Sequence, residues 1–157
     1  MAKMYQNVTL VGRAAWLSSG SLAWYATAMS RLLGIDYGKK RVGVAISDES
    51  HQMAFPHTVF PNDAQLVKNL LSVIAKENIS EIVIGHSLDK EGNPNSIHAK
   101  VEELMMDLTL EVGLPIHLVP ELYTTQAALR IQGRNAMTDA AAATLILDTF
   151  ITNPKKK

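Results

Sequence analysis

A chain of 157 residues, 47% hydrophobic and 19% charged, is sized for one domain with a buried core, which excludes a disordered or collagen-like polymer. Lys plus Arg and Asp plus Glu both total 15, so no global field draws the chain to nucleic acid or an anionic membrane, and any phosphate binding falls to a local patch. With no cysteine, disulfides and thiolate metal sites are excluded, in keeping with a reducing, cytoplasmic setting.

Residues 1–28 differ from the rest, with two cations, Lys3 and Arg13, and no acids. Their stretch "AAWLSSGSLAWYATA" ends in Ala26-Thr27-Ala28, the A-x-A form of a signal-peptidase site. Ser18, Ser19, Gly20 and Ser21 interrupt it, and it falls short of the ~20 apolar residues that a membrane span needs. The segment therefore reads as an N-terminal extension ahead of a domain over 29–152, with an export signal as the alternative. From there, Leu32 to Asp36 and Val42 to Ser47 are short aliphatic runs around "YGKKR", which predicts two strands joined by a tight turn. A short third strand is expected near Thr58 to Phe60. Asn62 or Asp63 can then cap a helix with Leu66, Leu70, Leu71 and Ile74 at helical spacing. "EIVIG" at 81–85 reads as a buried strand, followed by the polar loop "HSLDKEGNPNS". Val101, Leu104, Met105, Leu108 and Val112 share one face of a second helix, which Gly113 and Pro115 end before the strand "IHLVP" at 116–120. Thr124 or Thr125 can cap a helix through about Gln132, with Gly133 ending it. Thr138 can cap the last helix, "DAAAATLILDTFI", ahead of a basic tail over 153–157. This order predicts an α/β fold on a mixed sheet, opened by an antiparallel hairpin and continued by parallel strands.

Ligands of open α/β sheets sit at the carboxyl ends of the parallel strands. Asp36 ends its strand, Glu121 follows another, and Asp139 lies in the first turn of the last helix, on one side with Ala143 and Ile146. Side chains as small as alanine let that helix approach the sheet closely, so the three acids can converge. Singly, each has a plainer reading: Asp36 as a turn aspartate, Glu121 as a solvated loop end, Asp139 as a complement to the helix dipole. Together they repel one another unless a cation shares them, and hard oxygens select a hard ion, Mg2+ or Mn2+. Such an ion can activate water and stabilise the leaving oxygen of a phosphodiester, so the implied chemistry is its hydrolysis.

From about Met29 the chain resembles the YqgF/RuvX family of RNase H-like nucleases. The matching segments are "GIDYGKKRVGVAISD", "EIVIGHSLDKEGNPNS", "ELYTT" and "TDAAAATLILDTFI". The resemblance implies a three-layer RNase H-like fold with helices on both faces of the sheet, and it places Asp36, Glu121 and Asp139 at the family's active-site acids. It implies processing of the 5′ end of precursor 16S rRNA, with resolution of Holliday junctions as the alternative. Two positions depart from the family pattern. Pro120-Glu121-Leu122 stands where an Asp-Glu-Arg is usual, and His86-Ser87 stands where Leu-Pro is usual, which leaves His86 as an auxiliary candidate toward a phosphate or the attacking water.

Lys39, Lys40 and Arg41 lie beside Asp36, and Arg130 and Arg134 precede the last helix, so both sets are candidates for backbone phosphate. Thr124 and Thr125 can offer hydroxyls and helix N-terminal amides to the same group. Aromatic residues, at 6%, are too few to make a stacking platform evident, so structured RNA or branched DNA is the expected partner. The oligomer is left as monomer or homodimer. The hairpin also resembles the phosphate-binding hairpin of the actin, Hsp70 and sugar-kinase fold, which needs two such domains where this chain has room for one. A scaffold that binds nucleic acid without cutting it is the remaining alternative.

Overall fold

The computed structural model describes residues 29–86, 93, 96–120 and 136–153. Five strands form one sheet: β1 (Arg31–Tyr37), β2 (Arg41–Ser47), β3 (Ala54–Pro61), β4 (Ile79–His86) and β5 (Ile116–Pro120). Three helices are described with them: α1 (Leu66–Lys76), α2 (His98–Val112) and α3 (Ala136–Thr152). The strand order is β3-β2-β1-β4-β5. β1 pairs antiparallel with β2, and β2 with β3, whereas β1 with β4 and β4 with β5 are parallel. The expected mixed sheet with an opening hairpin is therefore present.

Alternation along each strand divides the interior in two. Leu33, Ile35, Val42, Val44, Ile82 and Ile84 join the apolar faces of α1 and α2, including Leu70, Val73, Val101 and Leu108, in one core. Leu32, Ala45, Val83 and Val119 face the other way, against Ala143, Ile146, Leu147 and Phe150 of α3. Strands covered on both faces have no polar face to show, which is why the central ones read as continuous aliphatic runs.

Several boundaries differ from the sequence expectations. β3 runs over eight residues, longer than the stretch near Thr58 to Phe60, because as an edge strand it admits Pro56 and Pro61 where no ladder bond is needed. Its register slips between Val44/Thr58 and Ala45/Pro56, which leaves His57 as an extra residue in the edge. Neither Asn62 nor Asp63 caps α1: the residue before the helix is Gln65, which makes no side-chain cap bond. Asp63 Oδ1 instead accepts from the Gln65 N–H at 2.9 Å, an Asx turn just ahead of the helix. Asn62 turns back to the β1–β2 hairpin, donating from Nδ2 to the Gly38 carbonyl at 2.8 Å and from its N–H to that of Lys40 at 3.0 Å. Thr138 lies inside the first turn of α3, since Ala136 and Met137, both good helix formers, carry the helix upstream of it. Gly113 closes α2 as expected, in the left-handed region with φ 60°. The helix expected from Thr124 or Thr125 to Gln132 lies outside the described residues.

Candidate active site

The site is set by how closely α3 lies on the β1–β2 hairpin. A Cβ on Gly34 of β1 would come within 2.8 Å of Leu147 Cβ and 3.0 Å of the Ala143 carbonyl oxygen, and one on Gly43 of β2 would land on the carbonyl oxygen of Asp139. Only a residue without a side chain admits the helix backbone at those two places. Gly34 and Asp36 are two apart on β1, so they project from one face, the face that α3 covers. Asp36 and Gly43 are direct cross-strand partners, and partners share a face. Asp139 is thus laid against the glycine opposite Asp36. Both aspartates are buried, each 7% exposed.

Alternation along β2 also puts Arg41 on that face, two residues before Gly43. Arg41 Nε lies 2.8 Å from Asp139 Oδ2, the carboxyl side chain being 10% exposed and the guanidinium side chain 41%. The contact is an ion pair without hydrogen-bond alignment: Asp139 Oδ2 is buried and accepts no hydrogen bond from the described residues. An anionic oxygen taken out of water and left without a donor is costly, and a nearby cation is what makes it tolerable.

The remaining candidates fall as follows. Lys39 and Lys40 are exposed in the hairpin turn that Asn62 braces. His86 ends β4, its backbone in register with Pro120, and its side chain lies outside the described residues. So do Glu121, Thr124, Thr125, Arg130 and Arg134 in full. Glu121 immediately follows Pro120, and β5 is parallel to β4 and β4 to β1, so β5 ends on the side of the sheet where the carboxyl end of β1 carries Asp36. Among the described residues no group of three or more His, Asp or Glu side chains gathers as a metal site. The two described aspartates supply hard oxygen donors, and the orphaned Oδ2 among them is what a divalent cation would satisfy; the donor set fits such an ion.

Sequence reading missed Gly43, and it offered Arg41 as a phosphate contact without its pairing to Asp139. Both follow from alternation once the hairpin register is known, and no signal within either residue alone announces it.

The model of the RuvX family, described as Holliday junction resolvase, matches residues 30–153. A protein of Maridesulfovibrio salexigens is 34% identical over 131 residues, covering 77% of this chain and 97% of its own length. One of Rickettsia felis is 33% identical over 135 residues, covering 80% and 88%. Both carry the name "Putative pre-16S rRNA nuclease". Among solved structures, Thermus thermophilus RuvC in complex with a Holliday junction substrate superposes with a TM-score of 0.53 at 16% identity, covering 78% of this chain and 93% of that one. The fowlpox virus resolvase in complex with Holliday junction DNA does so at 0.50 and 9% identity, covering 78% and 97%. At those identities the likeness establishes the fold, which is the RNase H-like α/β fold.

Proposed function

The chain belongs to the RuvX family, and from that membership we propose that it is a divalent-metal-dependent nuclease that trims the 5′ end of precursor 16S rRNA. The observation that carries the reading is the burial of Asp36, the cross-strand partner of Gly43, and of Asp139, whose helix turn lies on Gly43, with one carboxylate oxygen of Asp139 left without a hydrogen bond among the described residues. Asp36 and Asp139 would hold Mg2+ or Mn2+, with Glu121 as the third ligand. When bound, the ion supplies water activation and stabilisation of the leaving oxygen of the phosphodiester. Asp36, on the central strand, fixes the position of the site, and α3 carries Asp139 to it. The exposed Lys39 and Lys40 hold backbone phosphate at the mouth, where their charge works without reading bases. Arg130, Arg134, Thr124 and Thr125 are proposed to extend that contact, and His86 to assist at the water or phosphate.

Structured RNA fits this backbone-led recognition, and the cytoplasm is the compartment proposed for it. Among the described residues no helix is long and apolar enough to cross a membrane. Residues 29–152 are proposed as the nuclease domain, with 1–28 an extension and 153–157 a basic tail. The second reading, a Holliday junction resolvase, draws on the family description and requires two active sites, hence a dimer.

Cleavage of end-labelled precursor 16S leader RNA, compared with a four-way DNA junction in Mg2+ or Mn2+, tests both. The expected result is cutting of the RNA, abolished by chelation and reduced at least about 100-fold in Asp36→Asn, the order of loss for a principal electrostatic group. Paired symmetric cuts in the junction would favour the resolvase. Activity of the folded Asp36→Asn protein equal to wild type would remove the catalytic reading.

A further inference from the structure

We propose that Arg41 is the resident counter-cation of this site: it neutralises Asp139 while no divalent ion is held, and it competes with that ion for Asp139 Oδ2. The inference rests on the metal-site reading above and assigns Arg41 a positioning role beyond phosphate contact.

Four features converge on it. The distance of 2.8 Å between Arg41 Nε and Asp139 Oδ2 is the separation of a close ion pair, so the guanidinium stands beside an oxygen that a metal ligand must present. That oxygen accepts no hydrogen bond from the described residues, so this contact holds by charge without directional bonding. The partners are unequally placed: Asp139 is fixed by the backbone contact of α3 with Gly43, whereas the Arg41 side chain is 41% exposed and reaches water. Finally, Asp36 and Asp139 are both buried, one paired with Gly43 and the other carried by the helix turn that lies on it, and a carboxylate taken out of water is tolerated only with a cation or donors beside it. A displaced Arg41 would join Lys39 and Lys40 at the hairpin turn, so that loading the metal would release one more cation toward substrate phosphate.

Mn2+ titrated calorimetrically into the full chain, with no nucleic acid present, tests the proposal apart from turnover. Arg41→Gln is expected to bind Mn2+ about three- to tenfold more tightly than wild type, as removal of a roughly 1 kcal/mol competitor requires. Lys40→Gln removes the same charge from the neighbouring exposed residue and is expected to change affinity less than about twofold. Arg41→Lys, whose compact and strongly hydrated ammonium prefers water, is expected to tighten binding by a smaller factor, and it carries the test should the glutamine variant fail to fold. Unchanged or weaker binding in the Arg41 variants, or equal tightening by Lys40→Gln, overturns the inference while leaving the metal site intact. If wild type binds no Mn2+, or if Asp36→Asn binds it equally well, the metal-site reading falls and this inference with it.

Discussion

Asp48 closes the β2–β3 hairpin at the opposite end of β2 from Arg41, and its carboxylate shows what local hydrogen bonding does to a charge in water. The Ser50 hydroxyl donates to Oδ2, and the Met53 and Gln52 N–H groups donate to Oδ1 at 2.9 and 2.8 Å. The Ser50 bond first, then the Met53 N–H, lowers its pKa from 3.8 to about 2. Because the folded value is depressed, the stabilisation is complete above the ordinary value and is lost as pH falls through the folded one, between about 4 and 2. Carboxyl titration by NMR is expected to place the Asp48 midpoint near 2; a midpoint near 3.8 would mean that the three donors do not hold in solution. The same comparison marks what single residues disclose. Asp36 was legible as an acid at a strand end, and Asp139 as an acid in a first helical turn. Their burial was not, because it depends on Gly43 and on a register that only pairing fixes. Thr138 misled for a complementary reason: a capping residue type is common inside a first turn as well as ahead of it.

At the scale of elements, α3 is held on the sheet at both ends. Its N-terminal turn carries Asp139 against Gly43 and Arg41. Near its C-terminal end, the Phe150 ring lies 4.8 Å from that of His117, whose Nε2 is 2.7 Å from Glu81 Oε2. The helix was legible from its small residues, and the central strands from aliphatic runs that need no alternation when both faces are covered. Edge strand β3 was the least legible, since prolines and a register slip disguise its period. Gly43→Ala forces the helix backbone away from β2, and overpacking of this kind costs about 1–3 kcal/mol. A lowered Tm in thermal unfolding, together with at least several-fold weaker Mn2+ binding, is the expected outcome. Stability and metal affinity equal to wild type would show that the helix sits further from the sheet.

For the molecule as a whole, a ligand held between α3 and the sheet ties stability to occupancy. An ion present at about a hundred times its Kd adds about 2.7 kcal/mol to a two-state fold. For a chain of this length that is an upward shift in Tm of roughly 5–10 °C. Differential scanning calorimetry with and without Mg2+ or Mn2+ should register it for wild type and lose it for Asp36→Asn; an equal shift in both would place the stabilising ion elsewhere. The topology that places the site was legible as an order of strands and helices, whereas the third acid, Glu121, lies outside the described residues and stays a matter of chain order.

Asp36 lies on the first described strand and Asp139 on the last described helix, about a hundred positions apart, yet both are brought to Gly43, the first as its cross-strand partner and the second by the helix turn that lies on it. Contacts of such long range form only against the loop entropy of the chain between them, which slows folding. A nascent chain that has paired β1 with β2 but not yet added α3 carries one acid without the other, and it exposes Leu32, Ala45, Val83 and Val119 where the helix will lie. On the site proposed above, a ribosome translating this protein would be spared a competent nuclease at its exit tunnel until α3 has emerged, and the same bare sheet face is where a chain truncated before α3 would aggregate.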